Sequence, residues 1–161
     1  MHTSVASQAS TATAPLWFLD TLVTPHVPRY SGADRISVLE SEAREGDGPP
    51  LHVHHDEDEV FFVLEGRLRL RVDDADVELG PGEAALGPRG VPHTYRVESE
   101  RARWLVITAG APFENFVRSL GRPAETPKLP PATRAPDEAA IAALTAAAAA
   151  HGIEFVGPPL S

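Results

Sequence analysis

The chain has 161 residues, enough for one domain with a real core, and its 42% hydrophobic and 23% charged content is ordinary for a globular protein. A net charge of −9 argues against nucleic-acid and anionic-membrane partners, and the chain contains no run of about 20 apolar residues that would span a bilayer. It has no cysteine, which excludes disulfides and thiolate metal sites, so any metal must be held by nitrogen and oxygen.

The N-terminal MHTSVASQASTATAPL has no positive region followed by an apolar core, so it does not read as a secretory signal. Its Ser, Thr and Ala content predicts a flexible arm over 1–15, and a cytoplasmic protein is the expectation. From there to Gly110, glycine and proline separate short apolar runs, the pattern of many strands and tight turns. LWFLDTLV (16–23) reads as one strand and RISVLES (35–41) as the next, with AREGDGPP as a loop. A short strand over 51–54 carries histidines, and EVFFVLEG is a strongly apolar strand after the acidic turn DEDE. RLRLRVD alternates perfectly, so it has one wet face carrying Arg67, Arg69 and Arg71. ADVEL, EAALG, HTYRVE and ERARWLVITAG follow as strands. Such spacing is that of a sandwich or barrel.

After Gly110 the character changes. APFENFVRSLG reads as a short helix, with Pro112 near its start and Gly121 after its end. RPAETPKLPPATRA reads as a proline-rich linker. A second helix is expected from Pro136, at its first position, to His151, with Gly152 as its C-cap and Ile141 and Leu144 docking it on the barrel. The tail IEFVGPPLS is expected to pack back on the barrel, making 111–161 an appendage to a barrel over 16–110.

The chemistry concentrates in GDGPPLHVHHDEDEVFFVLEG. Side chains alternate along a strand, so His52 and His54 share a face while Leu51 and Val53 take the other. Glu59 has the parity of Phe61 and Val63, and a hairpin is expected to return it beside the histidines. His93 opens a later strand behind the stiff Pro92. Three neutral imidazoles and a carboxylate suit one divalent Fe, Mn, Co, Ni, Cu or Zn ion better than Ca or Mg. His55 has the wrong parity, and Asp56, Glu57 and Asp58 read as a solvated turn. His2, His26 and His151 are isolated. Phe61, Val63, Tyr95, Trp104 and Val106 are the pocket candidates, with the Tyr95 hydroxyl aimed at substrate.

Two motifs identify the chain as resembling the cupin superfamily. Gly46, His52, His54, Glu59 and Gly66 stand at the anchor positions of the first cupin motif, and Gly82, Pro88, Gly90 and His93 at those of the second. The second motif ends on Asn in the family, where this chain has Val97. The resemblance implies an all-β double-stranded β-helix, a jelly-roll barrel with short C-terminal helices, dimerising through its sheet faces. It also implies that His52, His54, Glu59 and His93 are the metal ligands.

The chain further resembles single-domain bacterial cupins related to quercetin 2,3-dioxygenase, through FENFVRSLGRPAE after the barrel and the ending HGIEFVGPP. That likeness implies an oxygenase acting with O2 on a flavonol-like or other enolic small molecule, with Glu59 as general base. A non-redox isomerase, lyase or polyketide cyclase is the alternative, and a ligand-binding cupin without chemistry is a third reading.

Overall fold

The computed structural model describes residues 13–27, 36–133 and 135–161. His2, Arg35 and most of the N-terminal arm lie outside them. Of the rest of that arm, Thr13 donates its backbone N–H to Pro25 O, and Pro15 O accepts from Ala124 N.

Two antiparallel sheets face each other across one core. The larger runs in the order β11 (Arg122–Pro123), β1 (Leu16–Phe18), β2 (Thr21–Val27), β3 (Ile36–Arg44), β10 (Arg101–Ala109), β5 (Glu59–Glu65), β8 (Ala84–Gly87). The smaller runs β12 (Ile153–Gly157), β4 (Leu51–His54), β9 (His93–Val97), β6 (Leu68–Val72), β7 (Ala75–Leu79). Alternation decides what enters the core. Leu68 and Leu70 of β6 are fully buried, while on its other face Arg69 pairs with Glu98 and Arg71 with Asp76. Phe61, Val63, Leu39 and Trp104 meet them from the larger sheet. This is the expected all-β jelly roll.

Several elements differ from expectation. The stretch 16–23 is not one strand but a hairpin turning at Leu19 and Asp20. Leu19 takes φ +54°, and the Asp20 carboxylate accepts from Thr133 N and Oγ1. The proline-rich segment is strapped to the larger sheet rather than free. Arg122–Pro123 pairs with β1, Trp17 Nε1 donates to Lys128 O, and Arg44 Nη2 donates to Pro130 O.

The first helix, α1 (Pro112–Leu120), starts on Pro112 as expected. The second, α2 (Glu138–Ala149), starts later than expected, because the Asp137 side chain accepts from Ala140 N and so makes Asp137, not Pro136, the boundary residue. Leu144 packs against a small cluster of Phe116, Ala148 and Ile153, whereas Ile141 is half exposed and does not dock. The tail does return, as β12 pairs with β4.

Candidate metal centre

The two sheets each contribute to one buried group of donors. His52 and His54 lie on β4, and His93, the first residue of β9, stands directly opposite His52 in the register. Glu59 opens β5 in the other sheet, so the turn 55–58 crosses between sheets and no hairpin joins β4 to β5. One donor atom from each of the four residues lies within 4.8 Å of every other, and all four residues are buried.

Each imidazole is held from behind. His52 Nδ1 donates to Pro50 O at 2.8 Å and His93 Nδ1 to Val91 O at 2.9 Å. His54 Nδ1 donates to Glu57 Oε1 at 3.2 Å. With all three Nδ1 atoms engaged, the Nε2 atoms are the ones presented to the centre. His93 Nε2 lies 2.9 Å from Glu59 Oε2. His54 Nε2 lies 3.5 Å from the same oxygen, within ion-pair reach but without a hydrogen bond, and is a buried nitrogen with no hydrogen-bond partner among the described residues. A buried orphan nitrogen facing a carboxylate and two more imidazoles fits a divalent transition-metal ion.

Electrostatics act in the same direction. Burial, helped by neighbouring His93, pushes the His52 imidazole down to about 4, so it stays neutral near neutral pH. Burial alone would raise the Glu59 carboxyl, but His54, His93 and His52 outweigh it and bring it to about 2. Burial would lower His54, yet Glu59 and Glu57 reverse that and raise it.

Above the donors opens a pocket of about 680 Å³, counting its mouth. Phe18, Phe61, Tyr95, Phe113, Phe116 and Phe155 form its aromatic walls, and among the described residues no Lys or Arg lines it. Val106 also lines it. Val63 and Trp104, expected there, do not. The register pairs Val106 with Phe61 and Trp104 with Val63, so the second pair forms the next layer down, sealed from the pocket. Burial first, then Asp47 and Glu59, push the Tyr95 hydroxyl well above its usual range, so it remains a proton-bearing donor.

His55 is exposed and meets Glu154, as its parity requires. His26 is not isolated, since its Nε2 lies 2.7 Å from Glu40. The turn is only partly solvated: Asp56 and Asp58 are exposed but Glu57 is buried. Gly87 also shapes the centre. A Cβ there would meet the His93 ring at 3.0 Å, so the bare backbone of β8 makes room for that ligand. A glycine that ends the strand before the ligand's carries no such sign in one sequence.

A buried cluster of three histidines and a glutamate at the mouth of a jelly roll defines a metal-site β-barrel of the cupin type. Residues 40–108 match the cupin domain, the stretch that carries all four donors. It is 34% identical over 101 residues to quercetin 2,3-dioxygenase of Bacillus subtilis (strain 168), a match covering 63% of this chain and 30% of that protein. The chain therefore spans less than a third of that relative. The polyketide cyclase RemF from Streptomyces resistomycificus aligns with a TM-score of 0.52 and 28% identity over 60% of this chain and 73% of its own. KdgF from Halomonas sp., at 13% identity and a TM-score of 0.52 over 56% of this chain and 79% of its own, shares the fold alone.

Proposed function

We propose that the protein is a metal-dependent dioxygenase acting on a flat phenolic or enolic molecule of flavonol type. The observation that carries this is the placement of the donor cluster at the floor of an aromatic pocket that no Lys or Arg lines among the described residues. Such walls stack on a planar ring system and carry no fixed cation to pair with a phosphate. The 34% identity to a quercetin 2,3-dioxygenase supports the same reading.

His52, His54, Glu59 and His93 would hold the ion, which when bound supplies Lewis acidity toward an enolic hydroxyl. Glu59 Oε2, beside the Nε2 atoms of His54 and His93, is the acceptor for the substrate hydroxyl proton. Phe113 and Phe116 on α1 and Phe155 on β12 close the pocket and keep water from the reacting ring. Tyr95 keeps its proton and donates to a substrate oxygen.

The test is turnover of quercetin by protein loaded separately with Fe, Mn, Co, Ni or Cu, in air and under argon. Oxygen-dependent loss of the flavonol absorbance with one or more ions is expected, and no loss with any of them sinks the proposal. The likeness to RemF favours a second reading, oxygen-independent cyclisation of a polyketide by the same site. Zinc-loaded protein indifferent to oxygen is its signature.

A further inference from the structure

His52 and His93 are oriented by backbone carbonyls two residues before each of them. His54 is oriented by a side chain. Glu57, buried in the turn between the sheets, takes the His54 Nδ1–H on Oε1. The same Oε1 accepts the backbone N–H of Phe113 at 2.6 Å. That N–H is one of the donors left over at the start of α1, where the boundary residue Ala111 has no side chain able to cap it. The Phe113 ring in turn packs against the His54 ring, with centroids 5.8 Å apart, and lines the pocket.

One carboxylate thus ties a metal-ligand candidate to the helix that walls the substrate space. Both bonds run through a single oxygen, and the other, Oε2, is buried without a hydrogen-bond partner among the described residues, so nothing else in the turn competes for this group.

We propose that Glu57 is a positioning residue that fixes the His54 ring for metal binding and couples it to the start of α1. The inference rests on the reading of the four-residue cluster as a metal site. It follows from geometry alone: a charged acceptor behind an imidazole holds Nδ1–H in place and makes Nε2 a better donor, and the shared oxygen makes any movement of Phe113 felt at His54.

The experiment uses the full chain and Co²⁺ alone, with affinity read from visible absorption under chelator competition and stability of the metal-free protein read from thermal unfolding. Glu57→Ala is expected to lower Co²⁺ affinity by about 10–100-fold, the usual effect of removing a group that orients a ligand. It should also lower the thermal midpoint, because α1 loses its cap. Adding Ala111→Asp supplies a carboxylate beside Phe113 N and should restore the midpoint without restoring the affinity. Glu57→Gln, which keeps an oxygen acceptor but loses the charge, should fold and bind with a smaller loss. If Glu57→Ala proves too unstable, the Glu57→Gln comparison decides alone. Affinity equal to the parent's in the Glu57→Ala, Ala111→Asp double variant, or in Glu57→Gln when that comparison stands alone, overturns the inference and leaves the metal site intact. A parent that binds no Co²⁺ overturns both.

Discussion

His93 has the least room of the three imidazoles. Its ring sits over the bare backbone of Gly87, with Nδ1 anchored on Val91 O and Nε2 against Glu59. Gly87→Ala would require the ring to shift by a few tenths of an ångström, since a Cβ there would stand 3.0 Å from it. The expected cost is about 1–3 kcal/mol of stability, as for other overpacked sites, with weaker metal binding. Thermal unfolding and a Co²⁺ titration check it, and a variant with the parent's affinity would show that the ring can yield. Protons matter at the same scale. The folded chain keeps His52 near 4 where the unfolded chain has about 6.5, so the unfolded state binds more protons between those values. The stability due to His52 is therefore complete above about 6.5 and is lost as pH falls toward 4. Glu59, at about 2 against 4.5, loses its contribution in the lower window. His54 has the opposite sign: its raised value stabilises the metal-free fold below 6.5, and that contribution disappears as pH rises through the folded value. A metal ion must displace the His54 proton. Calorimetric titration with Zn²⁺ near pH 6.5, in buffers of different ionisation enthalpy, should show proton release that shrinks as pH is raised. Binding heats independent of buffer contradict this.

Among elements, regular strands were legible and crossings were not. His52 and His54 could be paired from sequence because β4 is a regular strand from Leu51 to His54, in which alternate residues share a face. Glu59 could be assigned inward from its parity with Phe61. Parity does not carry across the turn 55–58, which changes sheets, and that hid the burial of Glu57 behind three other acidic residues. Alternation also gives the face of a residue and not its depth, so Val63 and Trp104 carry the same signal as Phe61 and Val106. The hairpin at Leu19 lacks the glycine or asparagine that marks a left-handed turn, and β11 is too short to have a period. The pocket's aromatic lid was equally hidden, because Phe113 and Phe116 come from α1 and Phe155 from β12, far apart in sequence. Phe116 touches Phe18 edge-on at 5.4 Å and anchors the small cluster under the helices. Phe116→Ala should cost about 3–5 kcal/mol, the range for deleting a buried phenylalanine, and should raise KM for a flavonol more than it lowers kcat. A denaturant midpoint matching the parent's would show that α1 is not held through this ring.

For the whole molecule, the open question is what covers the outside of the larger sheet. Among the described residues no helix is long and apolar enough to cross a membrane, and both helices pack around the pocket mouth rather than on this face. The register places Leu105 opposite Phe62, and Ile107 between Val60 and Val38. Leu86, which pairs with Val60, is 49% exposed. These side chains share one face, since their neighbours Val106, Phe61 and Leu39 point into the core. Along one edge the apolar field gives way to a row of paired charges. Arg103 bridges Glu40 and Glu65, and Arg101 bonds Glu42. An apolar centre beside a polar border with both signs already paired can meet its own copy without burying an unmatched charge. The expected state is a homodimer through this face, burying about 800 Å² on each copy if it is of standard size. Light scattering coupled to size-exclusion chromatography should give twice the chain mass for the parent and a single chain for Phe62→Lys, with Co²⁺ binding kept in both because Phe62 faces away from the donor cluster. A parent that elutes as a monomer at all concentrations excludes this arrangement. A Phe62→Lys protein that stays dimeric moves the contact to another surface.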